Sequence, residues 1–178
     1  NGEFDPASRA EAAFRAGEIL RARGRLAEAE PRFAKAVELG AEAPKGREFP
    51  ARGLLEQAHL KRRAHDETAA LELYAQVRER FSDQRRTAAT ALTWRGKLLL
   101  AAGRTDGAAQ ALQGFATEYP EYPKDAVRNA DLLAVELFES GDEAGAKAAV
   151  DRVRAALAPV VDSGGKQGES VAAALKAM

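Results

Sequence analysis

Four helix-breaking turns punctuate the chain, at Gly24, His65, Gly103 and Gly141, spaced 41, 38 and 38 residues apart. A break that returns at nearly constant spacing between runs of helical periodicity restricts the chain to repeated helical hairpins. Before Gly24 the small and apolar residues Phe14, Ala16, Gly17 and Leu20 recur at helical steps, and after it Leu26, Ala29, Phe33, Ala36 and Val37 do the same. One hairpin of this size cannot bury its own apolar face, so neighbours must stack and the end units need polar outer surfaces.

The helix boundaries follow from the punctuation. Asp5-Pro6 is a start signal, with Asp positioned to cap free N–H groups and Pro at the first helical position. The second helix carries Pro31, which predicts a kink or a late start. Residues 43–50, with two prolines and a glycine, read as a connector, and a third helix is expected over 51–63 on Leu54, Leu55, Ala58 and Leu60. Asp66 caps a fourth helix through Phe81, and Ser82-Asp83 caps a fifth that ends near Ala102. A sixth helix starts at Thr105 or Asp106 and spans Ala108, Ala109, Leu112 and Phe115, stopping at residues 119–123. Pro123 opens a seventh helix, and an eighth uses Ala146, Val150, Val153 and Leu157 before Pro159. Residues 162–168 read as a Gly-rich loop before a short last helix with Val171, Ala174, Leu175 and Met178 on one face. No segment alternates with period two, so no sheet is expected.

Aligned on the four turns, the residues resemble the tetratricopeptide repeat. Gly17, Ala58, Gly96 and Ala134 supply a small residue midway along each first helix, and Ala29, Ala70, Ala108 and Ala146 supply a second early in the partner helix. One turn later stand Phe33, Tyr74, Leu112 and Val150. Small residues let two helices approach, and a bulky one fills the gap against the neighbour. Pro120 falls where the family closes a unit and Pro159 one position late, whereas the first two units hold Ala41 and Ser82 there. The match is weakest in the second unit, where Gln57 and Lys61 take apolar positions.

The resemblance implies an all-α fold, a right-handed α-solenoid of about four hairpins plus a short C-terminal helix. The domain plan is an N-terminal extension (1–9) whose first four residues read as a cloning remnant, and a repeat domain over 10–160. Within it the repeats cover about 10–43, 51–84, 89–122 and 127–160, and residues 161–178 form a linker and capping helix. Residues 115–126, FATEYPEYPKDA, are similar to the linker of bacterial envelope repeats of this family, which leans the reading towards a bacterial periplasmic assembly.

Composition decides what chemistry is open. There are no cysteines, so thiol chemistry and thiolate metal sites are excluded. His59 and His65 stand six apart and do not share a helix face, so no metal is expected. Ser163-Gly164-Gly165-Lys166 lacks the spacing and preceding strand of a phosphate loop, and none of the serines has a Gly-x-Ser-x-Gly setting. With neither nucleophile, metal nor phosphate cradle, the chain reads as a non-enzyme without cofactor. Net charge is zero, which lacks the footprint of a nucleic-acid binder, although residues 44–104 hold 13 basic and 7 acidic side chains and residues 105–178 hold 7 and 12. No apolar run approaches the roughly 20 residues of a membrane span.

The resemblance further implies a concave groove lined by the first helix of each unit. Carried over by position, it would present Phe14 and Arg15, then Arg52, Leu55, His59, Arg62 and Arg63, then Trp94 and Lys97, and finally Leu132, Val135 and Phe138. The expected partner is a protein or peptide segment with acidic flanks, Trp94 serving as an anchor. The carboxylate clamp of the family's chaperone-binding members is absent, since Phe14, Glu18, Glu56, Thr90 and Trp94 occupy its positions. The alternative is a module of a larger protein that stacks on itself.

Overall fold

The computed structural model describes residues 5–41 and 46–178. Expectations for residues 1–4 and for the start of the connector at 43–45 lie outside the described residues. Every regular element among the described residues is an α-helix. The chain forms two compact units, Asn1–Ala91 and Leu92–Met178. The first contains α1 (Pro6–Ala22), α2 (Leu26–Ala41), α3 (Glu48–Arg63) and α4 (Glu67–Arg80), and the division falls within α5 (Arg85–Ala101). The second continues with α6 (Thr105–Leu112), α7 (Phe115–Glu118), α8 (Pro123–Glu139), α9 (Glu143–Asp162) and α10 (Gly165–Ala177).

The four turns are built alike. Gly24, His65, Gly103 and Gly141 all take positive φ, at 74°, 59°, 67° and 88°. At each, the N–H of the left-handed residue returns to the carbonyl three back: Arg21, Arg62, Leu100 and Phe138. The next N–H reaches the carbonyl five back, from Arg25 to Leu20, Asp66 to Lys61, Arg104 to Leu99 and Asp142 to Leu137. This paired closure satisfies carbonyls that the ending helix would otherwise leave open, and it needs a residue that tolerates the left-handed region. The following helix then starts under a cap in two of the four cases. Asp66 accepts from Ala69 N at 3.1 Å, and Asp142 accepts from Gly145 N at 2.8 Å.

The pairing of small with bulky residues is realised in space. A Cβ on Gly17 would stand 2.6 Å from Phe33 Cε1, and one on Gly96 would stand 2.5 Å from Leu112 Cγ. Each glycine in a first helix thus seats the bulky residue of the second helix of its own hairpin. Phe33 is fully buried with Phe14, Ala29, Ala36 and Leu60 around it, and burial of such a ring contributes about 1.5–3 kcal/mol. Gly53 also brings α3 close to α2, where a Cβ would lie 3.0 Å from Phe33 O. In the second unit Leu99, Phe115, Tyr119, Leu133, Leu157 and Val171 are buried, the rings of Phe115 and Tyr119 being 5.2 Å apart.

Several local expectations are corrected. α2 starts at Leu26 rather than late and includes Pro31, whose exposed position leaves the freed Ala27 carbonyl on the outer side of the helix. α3 begins at Glu48, so Phe49 and Pro50 belong to its first turn, where the missing proline N–H is one of the helix's unpaired donors anyway. α5 begins at Arg85, beyond Ser82-Asp83, with Ala88 N bonded to Gln84 O. The sixth expected helix divides at Gln113-Gly114 into α6 and α7. α9 continues through the exposed Pro159 to Asp162. Only Ser163 and Gly164 separate it from α10, so the expected Gly-rich loop is largely helix. Gly168 is buried there because a Cβ would meet Val160 O at 2.8 Å. Asp5 does cap α1, accepting from Ala7 N at 2.9 Å and Ser8 N at 3.2 Å, and Pro123 does open α8.

Candidate functional site

The residues expected to line a binding surface fall into two sets, one on each unit. In the first unit, α1 and α3 contribute Phe14, Arg15, Arg52, Leu55, His59, Arg62 and Arg63. Phe14 is 1 % exposed, with its ring centroid 5.6 Å from Phe33 and 5.7 Å from Phe49. It belongs to the core rather than to an open surface, because the helical position that faces a groove from α1 is here turned onto α2 and α3. Arg52 covers it, its guanidinium 4.5 Å above the Phe14 ring. Arg15 lies exposed 5.3 Å from the Phe49 centroid, and Leu55 is half-buried.

The arginines of this face are balanced by carboxylates. Arg52 Nη2 donates to Glu18 Oε1 at 3.2 Å and Nη1 to Glu48 Oε1 at 3.3 Å. Arg15 Nη1 donates to the other oxygen of Glu18 at 3.0 Å, so Glu18 ties α1 to α3 through Arg52 while pairing within its own helix. Arg21 Nε lies 3.4 Å from Glu56 Oε2. Partly exposed pairs of this kind contribute little to stability, but they offset the local positive charge. The basic character expected of this face is thus partly offset by its own carboxylates.

His59 is a structural residue of the same face. Its Nδ1 lies 2.7 Å from Tyr74 Oη, joining α3 to α4 across the second hairpin, and the rings meet edge to face at 5.5 Å. Burial, followed by the charges of Arg62, Arg21 and Arg63, holds the imidazole down to about 4. Burial pushes the Tyr74 hydroxyl up to about 12 against an opposing hydrogen bond from Arg62. A neutral imidazole beside a protonated phenol allows a hydrogen bond between Nδ1 and Oη without a buried charge. Glu56 is also raised by burial, with Arg21 opposing. His65 has a different task, holding the left-handed position of its turn.

In the second unit the surface is more open. Trp94 is half-buried on α5, with Lys97 Nζ 5.1 Å from its ring centroid. On α8, Leu132 is half-buried while Val135 and Phe138 are 49 % and 62 % exposed. These three recur every third residue, opposite the buried arc of Ala126, Val127, Ala130, Leu133 and Leu137. The fully buried Asn129 fixes the orientation by donating Nδ2 to Thr93 Oγ1 at 3.0 Å. Phe138 and Val135 are thus presented to solvent by a helix whose other side is anchored. Sequence reasoning placed Glu18 and Glu56 at the positions of the absent clamp but not their pairing with Arg52 and Arg21, and it missed the exposed Ile19, at 53 %.

Comparison with known proteins bears on one repeat. The tetratricopeptide repeat model matches residues 90–122. That stretch holds the Gly96–Leu112 contact, which Gly17 and Phe33 repeat, the left-handed Gly103 turn, which all four hairpins share, and Tyr119-Pro120. No curated protein matches the chain. The match supports a tetratricopeptide-type helical repeat, and such repeats generally mediate protein–protein interaction. No helix among the described residues is long and apolar enough to cross a membrane.

Proposed function

We propose that this chain is a non-enzymatic interaction module that holds a segment of a partner protein on the solvent-facing sides of its first helices. The observation that carries the reading is the pair Val135 and Phe138, large apolar side chains held at the surface of a well-anchored helix. Trp94, its ring partly covered by Lys97, is the aromatic anchor of the second unit. On the first unit the contact surface comprises Arg15, Arg52, Leu55, His59, Arg62 and Arg63 over a Phe14 core, and acidic flanks of a bound segment would be met by its arginines. A place in a bacterial envelope assembly, in the periplasm, is the finer proposal; what supports it is the Tyr119-Pro120-Glu121-Tyr122-Pro123 linker, in which Pro123 opens α8.

The test is selection of peptides from a random display library against the full chain, repeated with Trp94→Ala. Enriched peptides that shift Trp94 fluorescence and lose affinity for Trp94→Ala support the module. Enrichment of none, or binding indifferent to Trp94 and to Phe138, overturns it. Concentration-dependent light scattering of the unliganded chain tests the alternative, a module that stacks on itself.

A further inference from the structure

The face of α8 carries its own statement about the chemistry of a partner. Between Arg128 and Lys147 the sequence holds Asp131, Glu136, Glu139, Asp142 and Glu143, and neither Lys nor Arg. Asp131 and Glu139 are exposed on α8, and Asp142 and Glu143 are exposed at the turn that follows it. On a helical projection Asp131 lies between Phe138 and Val135, and Glu139 lies between Val135 and Leu132. The solvent-facing arc over residues 131–139 therefore interleaves apolar side chains with carboxylates. The helix's own cations, Lys124 and Arg128, are exposed on the same arc nearer its N-terminus, Arg128 facing Asp125 at 3.7 Å.

We propose that the Leu132–Val135–Phe138 stripe docks a cationic amphipathic segment of a partner protein, a helix with aliphatic residues at every third or fourth position and Lys or Arg beside them. The inference rests on the interaction-module reading and names the partner class for its second unit. Apolar anchors at helical spacing fill the stripe as in other helix-on-helix recognition. Flanking cations meet Asp131, Glu139 and the turn carboxylates, which sets partner choice and speeds encounter. An Arg side chain laid over Phe138 adds a cation–π contact to its packing. An acidic segment is repelled at the same positions. This reverses, for the second unit, the charge preference expected from the basic middle of the sequence.

The experiment uses the full chain and three labelled peptides of about 16 residues that share a leucine stripe at helical spacing. Their remaining positions are Lys, Gln or Glu, and binding is read by fluorescence anisotropy at low and high salt. The Lys peptide is expected to bind roughly tenfold or more tighter than the Glu peptide at low salt, the gap closing as salt rises. Phe138→Ser and Val135→Ser are expected to weaken the Lys peptide several-fold without changing the melting temperature, because both side chains are exposed. The pair Asp131→Asn and Glu139→Gln is expected to narrow the Lys-over-Glu preference. Equal or tighter binding of the Glu peptide, still sensitive to Phe138→Ser, overturns the partner's charge and leaves the module reading standing. Binding of every peptide unaffected by Phe138→Ser and Val135→Ser overturns both. A chain that is dimeric in sedimentation and becomes monomeric with Phe138→Ser makes a second copy the occupant and overturns the proposal.

Discussion

Replacing Gly17 by Ala adds one methyl group to the middle of α1, and the outcome depends on what that methyl meets. It would lie 2.6, 2.8 and 3.0 Å from three ring carbons of Phe33, where carbon atoms prefer about 3.5–4.0 Å. The ring has nowhere to go: Phe33 is 0 % exposed, and its centroid is 5.6 Å from that of the buried Phe14. Overpacking of this kind costs about 1–3 kcal/mol. Against it stands the better helix propensity of Ala, about 0.5–1 kcal/mol. The net expectation is a loss of about 1–2 kcal/mol, or roughly 5–10 °C in the melting of a unit of this size. Thermal and urea denaturation followed by circular dichroism measure it. Gly114→Ala is the control, because Gly114 has φ −84° and nothing within 4 Å of the added carbon. There the same change should be neutral or stabilising by up to about 1 kcal/mol. The double variant Gly17→Ala with Phe33→Leu should lose less than the sum of the singles, since the two share one space. A Gly17→Ala protein that melts at or above the wild type would refute the seating of Phe33 on Gly17.

Other perturbations read the remaining features. Gly24→Ala, Gly103→Ala and Gly141→Ala meet no atoms but force Ala into the left-handed region. Each should cost about 1 kcal/mol in denaturant titrations, whereas His65→Gly should be neutral or mildly stabilising. Ala108 is fully buried early in α6, so Ala108→Leu should lose about 1–3 kcal/mol, and an unchanged melting temperature would refute that alignment. The His59 imidazole is held at about 4 rather than 6.5, so between those values the unfolded chain binds more protons and stability falls as the pH is lowered through that window. Discounted for its partial exposure, the loss is about 1–2 kcal/mol. His59→Gln, which can still hydrogen-bond to Tyr74, should flatten the dependence of melting on pH across this range, and an unaltered slope would assign it elsewhere.

The parts of the fold legible in the sequence are those encoded by residues with few conformational alternatives. The turns at Gly24, Gly103 and Gly141 could be placed to the residue because left-handed backbone selects glycine, and the small-and-bulky pairing because only Gly17 and Gly96 leave room for Phe33 and Leu112. Proline was less informative than its rule. Pro50 and Pro159 both sit within helices, one in a first turn with no donor to lose and one on an exposed side near the helix end. The charge of the first face was not legible, because Glu18 and Arg52 are 34 residues apart and nothing local announces their meeting. Phe14 shows the same limit: its position in the repeat points to a surface, while its burial is set by Phe33 and Phe49 from other helices. The acidic surplus of residues 105–178 was countable in the sequence, but its place beside Val135 and Phe138 needed the exposure of those side chains.

The central claim, that the outer sides of the first helices receive a partner segment, is tested most directly by mapping a bound peptide onto the chain. Backbone amide chemical shifts would be recorded for the full chain as the leucine–lysine peptide is titrated in. Saturable shifts concentrated at Leu132, Val135, Phe138 and their immediate neighbours, and absent in Phe138→Ser, are the predicted result. Shifts concentrated on the exposed side of α9, or spread evenly over the acidic surface and undiminished by Phe138→Ser, would contradict it.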